Sequence, residues 1–217
     1  MMGDAGGSVR LYLVRHGETA QNVEMRYLGL GDEPLNERGR NQARLLGEAF
    51  ERIPLRRVVS SPMRRAGDTA AAIGAGTGVE VRSDPRLAEG SFGSWEGLTR
   101  GEVRDLGPED AALLERWEAD ASAAPPGGES ILGVQRRVVG LADELAGEFP
   151  GGAVALVSHV GPIKALVAAV LGVPLPVSRR LFLDPGTITV LEWGPRPLLR
   201  LFNSHAHLGW TSARWMR

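Results

Sequence analysis

What most limits the fold of this chain is the alternation of short apolar runs with longer amphipathic ones. The runs "VRLYLV" (9–14), "RRVVSS" (56–61), "VEVR" (79–82), "GAVALVS" (152–158) and "TITVLEW" (187–193) have the length and β-branched content of strands. Between them lie "NERGRNQARLLGEAFERI" (36–53), "MRRAGDTAAAIGA" (63–75), "SILGVQRRVVGLADELAGEF" (130–149) and "GPIKALVAAVLG" (161–172), which have the length and patterning of helices. Strand followed by helix, repeatedly, predicts an α/β fold: a three-layer α/β/α sandwich around a mostly parallel sheet. Near-continuous apolar strands such as "AVALV" fit a sheet covered on both faces. The alternation fails between Glu89 and Gly128, where two tryptophans, the helical stretch "PEDAALLERWEAD" and "AAPPGG" predict a helical cap insertion over about 90–128. The rest of 9–217 reads as a single domain, and residues 1–8 as a short disordered leader. Asn36 and Ser130 are expected as helix N-caps, with "GGES" a turn leading into the second of them.

Composition removes several kinds of function. The formal net charge is −1 and no long run of like charge occurs, so neither a nucleic-acid surface nor an anionic-membrane surface is expected. The absence of cysteine excludes a disulfide framework, a zinc–thiolate site and a thiol nucleophile. No apolar stretch reaches the ~20 residues of a membrane helix, and "MMGDAGGSV" lacks the layout of a signal peptide. A cytoplasmic location is therefore expected. Lys164 is the one lysine among 25 basic residues. Where nearly every cation is an arginine, only the position of an arginine carries information.

Those positions are informative. Three expected strands end in polar clusters: Arg15-His16-Gly17, Pro62-Met63-Arg64-Arg65 and His159-Val160-Gly161. Open α/β sheets bind ligands beyond the carboxyl ends of their strands, so the three clusters are expected at one rim. Two arginines and two histidines suit a dianionic tetrahedral group, because guanidinium forks match phosphate oxygens and helix starts add N–H donors. An imidazole nitrogen among such donors can attack phosphorus once arginines neutralise the repelling charge. A departing oxygen needs an acid, and Glu89 in "RLAEGSFGSWEG" is the candidate, since a carboxyl near anions and away from water has a raised pKa.

Other chemistries fit less well. His16, His159 and Glu89 make a two-histidine, one-carboxylate set, yet adjacent arginines oppose a divalent cation, so no metal and no cofactor is expected. There is no G-x-S-x-G elbow and no P-loop. "GAGTG" (74–78) falls short of a dinucleotide fingerprint and is expected to end a helix, and "HAH" (205–207), without cysteine or carboxylate neighbours in sequence, reads as structural.

Taken in order, "LVRHGET" with Asn22, "SSPMRRAGDTA", "LAEGSFGSWEG" and "VSHVGPIKALV" resemble the histidine phosphatase superfamily, in its phosphoglycerate mutase-like branch, from about Arg10 to "FNSHAHL". The resemblance implies a metal-independent phosphomonoesterase, a phosphoric monoester hydrolase of the histidine acid type that works through a phosphohistidine. It implies His16 as nucleophile, Glu89 as proton donor, and Arg15, Arg65 and His159 around the phosphoryl group, with Asn22 and Val160 as further phosphate contacts. Arg65 is chosen over Arg64 because the family arginine immediately precedes the alanine. Gly17 is expected to let the backbone approach closely. The family often has glycine where this chain has Val160, and valine resists φ > 0. The short "EGSFGSWEGL" form resembles phosphatases more than the longer true mutases. Phosphoglycerate mutase activity and non-catalytic binding of a phosphate ligand are the alternatives. The partner implied is a small phosphorylated metabolite such as a sugar phosphate, a phosphoglycerate derivative, or a nucleotide or ribazole phosphate. A homodimer is open, since nothing in the sequence fixes the oligomeric state.

Overall fold

The apolar run near the start becomes β1 (Val9–Arg15), flanked in the sheet by β4 (Ala153–Ser158) and β5 (Ile188–Trp193). The computed structural model describes residues 7–209. Its sheet has six strands in the order β3-β2-β4-β1-β5-β6, with β2 at Arg57–Ser60, β3 at Val81–Ser83 and β6 at Leu198–Ser204. β1 runs parallel to β4, as do β2 to β4 and β3 to β2. β5 is antiparallel to both of its neighbours, so it alone opposes the other five.

Period-two alternation divides β1 and β4 between two cores. Leu11, Leu13, Val154 and Leu156 face α6 (Ile131–Glu148) and α7 (Val160–Leu171), packing on Val138, Leu141, Ile163 and Leu166. Val14, Ala155 and Val157 face α2 (Glu37–Phe50) and α3 (Arg64–Thr77), packing on Leu46, Phe50, Ala70 and Ile73. Each large apolar side chain so enclosed contributes about 1.5–3 kcal/mol. That is the physical content of the expected three-layer sandwich, and it holds the central strands, and therefore their ends, rigid.

The expected caps form: Asn36 accepts from the Gly39 N–H at 2.8 Å and Ser130 from that of Gly133 at 3.1 Å. "GAGTG" does end a helix, with Gly78 at φ +70. Elements that escaped the periodicity include the five-residue α1 (Ala20–Glu24), the six-residue helix at Arg100–Asp105 and the edge strand β6. Segment 90–128 supplies α4 (Arg100–Asp105) and α5 (Pro108–Ala119), whose own small core joins Trp95, Val103, Leu114, Trp117 and Ala123. Of the leader, residues 1–6 lie outside the described residues, and the Ser8 carbonyl accepts the Gly151 N–H at 2.7 Å. Among the described residues no helix is long and apolar enough to cross a membrane.

Candidate active site

Parallel pairing of β1, β4 and β2 aligns their carboxyl ends: Arg15 stands opposite Ser158, and Ser60 opposite Val157. The next residues, His16, His159 and Ser61, therefore emerge side by side, with the two imidazole centroids 4.9 Å apart. The His16 N–H donates to the Ser158 carbonyl at 3.0 Å, so the turn after β1 is tied to the neighbouring strand. Arg15, His16, Asn22, Arg65, Glu89, His159 and Val160 all line one cavity of about 270 Å³ beneath the cap. The three clusters thus meet at one rim.

The protonation of His16 follows from its partner. Nδ1 lies 2.7 Å from the Gly17 carbonyl, which can only accept, so Nδ1 carries the ring proton and Nε2 keeps its lone pair. Burial, then the charges of Arg15 and Arg65, hold the ring's pKa well below the ordinary histidine value. His16 is a neutral imidazole in a cationic setting. His159 is depressed likewise, by burial first and then by His16 and the two arginines. Its Nε2 is 2.7 Å from Ser61 Oγ, which itself accepts from the Met63 N–H at 3.3 Å and can therefore donate its proton to the ring. The remaining proton then sits on Nδ1, a buried atom with no hydrogen-bond partner among the described residues. Arg65 Nε is in the same condition. Buried donors left open in this way are costly unless a ligand completes them.

Arg65 is fixed by the Gly31 and Gly29 carbonyls at 2.6 and 2.9 Å, and Arg15 by the Leu183 carbonyl at 2.5 Å. Burial lowers the Arg65 pKa, opposed by nearby Glu89, Glu33, Asp32 and Glu96. Arg64 instead lies exposed beside Asp68. Glu89 enters from the loop after β3, and its carboxyl accepts the N–H groups of Gly90 (3.0 Å) and Gly161 (3.1 Å) at the start of α7. A Cβ on residue 161 would stand 2.4 Å from Glu89 Oε1, so that glycine makes room for the carboxyl. Asn22 is held by a capping box with Thr19, its Oδ1 accepting the Thr19 N–H at 3.2 Å.

Two readings become definite. Val160 is simply the first residue of α7, and among the described residues only Met25 and Asn203 combine a side chain with positive φ. No left-handed backbone is demanded there, so valine fits. The close approach that Gly17 permits is to Gly39 of α2, whose carbonyl oxygen would lie 2.5 Å from an added Cβ. The "HAH" histidines are structural, but not for want of a carboxylate: Asp184, distant in sequence, pairs with His205 at 3.0 Å, while His207 bonds the Gly186 carbonyl. Among the described residues no group of three or more His, Asp or Glu is placed to hold a metal ion.

The sequence reading missed several residues in and around the cavity. Ser61 orients His159, and Thr69 accepts the Gly17 N–H at 3.1 Å. Lys164, Arg179, Tyr27 and Phe92 also line the cavity. For Lys164 a signal existed, since it is four residues beyond Val160 and so on the same helical face.

A buried neutral histidine thus lies beside two arginines, with a second histidine and a carboxyl lining the same cavity. The chain belongs to the histidine phosphatase superfamily (branch 1), whose family model matches residues 11–203. It is 40% identical over 192 residues to the bifunctional protein Rv2228c of Mycobacterium tuberculosis, covering 88% of this chain but 52% of that protein, so it spans about half that relative's length. It is 44% identical over 175 residues to glucosyl-3-phosphoglycerate phosphatase of the same species, covering 76% and 77% of the two chains. A solved structure of mycobacterial glucosyl-3-phosphoglycerate phosphatase Rv2419c, in complex with VO3, superposes with TM-score 0.81 at 37% identity, covering 90% of this chain and 99% of that one.

Proposed function

We propose that the protein is a metal-independent phosphomonoesterase acting on small phosphorylated metabolites through a phosphohistidine at His16. The observation that carries this reading is the protonation state of His16: a buried ring with Nδ1–H on a carbonyl and a lone pair on Nε2, flanked by Arg15 and Arg65. In the first step Nε2 attacks phosphorus, the P–O ester bond breaks, and Glu89 gives its proton to the leaving oxygen. Positive charge developing on the ring is met by the Gly17 carbonyl, while Arg15, Arg65 and His159 hold the three phosphoryl oxygens. In the second step Glu89 takes a proton from water, water oxygen bonds to phosphorus, the P–N bond breaks, and inorganic phosphate leaves. The two guanidinium groups supply the positive charge that a metal ion supplies in other phosphatases. Relatives named for phosphatase action, on glucosyl-3-phosphoglycerate and on phosphoserine (36% identical over 204 residues, Hydrogenobacter thermophilus), support hydrolysis over mutase action.

The test is release of phosphate from p-nitrophenyl phosphate in the presence of EDTA, with loss of at least a thousandfold in His16→Ala. Unimpaired turnover by that variant, or abolition by EDTA, overturns the proposal. Incubation with 3-phosphoglycerate and catalytic 2,3-bisphosphoglycerate separates the mutase alternative, which requires 2-phosphoglycerate to form faster than free phosphate.

A further inference from the structure

The segment "FNSHAH" (202–207) carries three polar side chains that the proposed reaction does not use, Asn203, His205 and His207, and all three reach the loop 183–187. That loop backs the site. The Leu183 carbonyl accepts from Arg15 Nη1 at 2.5 Å, and the Thr187 carbonyl accepts the Arg15 N–H at 3.2 Å. The Gly186 N–H donates in turn to the carbonyls of Arg15 (3.1 Å) and His16 (3.0 Å). Gln42, which is buried, ties in Glu18: its Nε2 donates to the Pro185 carbonyl at 3.2 Å and its Oε1 accepts the Glu18 N–H at 2.8 Å. Residues 15, 16 and 18 are therefore all bonded to this loop, Glu18 through Gln42.

What fixes the loop is Asp184, a buried residue. Its Oδ2 accepts from His205 Nε2 at 3.0 Å and from Asn203 Nδ2 at 3.2 Å, and its N–H donates to Asn203 Oδ1 at 2.9 Å. Its carbonyl accepts from Thr187 Oγ1 at 2.7 Å, which closes the loop on itself, and His207 Nε2 holds the Gly186 carbonyl at 2.8 Å. Asn203 makes both of its bonds from a left-handed backbone, φ +52, in a bulge of β6 where Phe202 and Asn203 stand opposite Thr189 alone. That conformation is costly for a residue with a side chain, and a bulge re-aims the side chain it carries; here it aims the amide at Asp184. A buried carboxylate is a weak source of stability beside apolar packing, but its hydrogen bonds have set lengths and directions, so what it contributes is geometry.

We propose that Asp184, Asn203 and His205 form a positioning clamp, which acts through loop 183–187 to set the place of Arg15 and the direction of the His16 side chain. The proposal rests on the phosphatase reading for the reaction, and on these bonds alone for the clamp. None of the three lines the cavity, so each acts through the loop and not on the substrate. The two carbonyls that Gly186 holds belong to the planar peptides on either side of the His16 Cα. Fixing both planes fixes the direction in which the imidazole leaves the backbone. A loosened clamp lets the ring tilt away from the line of attack on phosphorus.

Asn203→Gly is the decisive variant, because glycine adopts the left-handed backbone readily and the substitution removes only the amide. His205→Ala removes the ring, and His205→Gln returns a donor to its place. Asp143→Ala is the control: it cuts the Trp193 indole bond (2.8 Å) at the other end of β5, where Trp193 pairs with Val9. In protein shown by circular dichroism to be folded, Asn203→Gly and His205→Ala should lower turnover of p-nitrophenyl phosphate roughly tenfold or more, mainly in kcat. His205→Gln should recover part of that loss, and Asp143→Ala should keep native kcat even where its urea midpoint falls. Amide hydrogen exchange, which needs no turnover, should quicken roughly tenfold at Arg15 and Glu18 in both clamp variants and not in the control. Native kcat in Asn203→Gly, native exchange at both amides in that variant, or equal losses in Asp143→Ala overturn the clamp. If the native protein releases no phosphate, the phosphatase reading fails and exchange alone decides the clamp. Should His205→Ala not fold, Asn203→Gly decides.

Discussion

Gly17→Ala isolates the contact that sets the position of His16, the proposed nucleophile. An ideal Cβ at residue 17 lies 2.5 Å from the Gly39 carbonyl oxygen and 3.0 Å from the Gly39 Cα and carbonyl carbon, whereas ordinary contact begins near 3.4 Å. The backbones must therefore part by about 0.9 Å. Neither side can yield by rotating a side chain, because both are main chain, and α2 is anchored at this end by the Asn36 cap on Gly39. Overpacking of this kind costs about 1–3 kcal/mol. The alternative to moving α2 is to move residues 16–18, and a displacement of about 1 Å at a reacting group costs roughly 100-fold in rate. Urea unfolding should show the first loss and p-nitrophenyl phosphate turnover the second, mainly in kcat. Gly67→Ala is the comparison: it sits in α3, two residues past Arg65, with open space around an added Cβ, and should gain about 0.5–1 kcal/mol. A Gly17→Ala protein with native midpoint and native kcat, or equal losses in the two variants, would refute this reasoning.

Two other outcomes follow from burial. His16 and His159 have folded-state pKa values well below 6.5, so the unfolded chain binds protons that the folded chain refuses. The sign is that stability is complete above pH 6.5 and is lost as pH falls, by about 1.4 kcal/mol per pH unit for each ring. Unfolding in urea from pH 7.5 to 5 checks this, and His16→Ala should flatten the slope; a flat native profile contradicts it. Trp95 is fully buried at the centre of the cap core, with its indole N–H on Asp110 at 2.8 Å. Trp95→Ala should cost about 3–5 kcal/mol and make segment 90–128 the first to be cut by protease. Native resistance of that segment would remove the cap core from the account.

Physical signals of unequal strength explain what could be read in advance. β1, β4 and β5 have continuous apolar runs because both sheet faces are covered, and a run of that kind has few other uses. β6 was not legible: it lies at the sheet edge, exposes Leu198 and Leu201, carries Arg200 and follows Pro195 and Pro197. α1 is too short to display a period. In the site, the polar residues that end strands announced themselves, since the parallel pairing that buries a strand also fixes its tip. Ser61 was half visible in "VVSS", but its role depends on a partner 98 residues away. Arg179 gave no local sign, because what makes it matter is the stacking of Trp117 from the cap. Val160 raised a difficulty only while α7 was thought to begin after it.

Strand order has a consequence for how the protein is made. β4 lies between β2 and β1, so the sheet's centre is the fourth strand to leave the ribosome. Until residues 153–158 emerge, β1 and β2 each present an unpaired edge toward the place β4 will fill, and His16 has no His159 beside it. At about 5–20 residues per second that interval lasts several seconds. A nascent chain stalled before residue 153 has β1 open on both edges and β2 open toward β4, with no His159 beside His16, which makes it a client for chaperones rather than a partial enzyme.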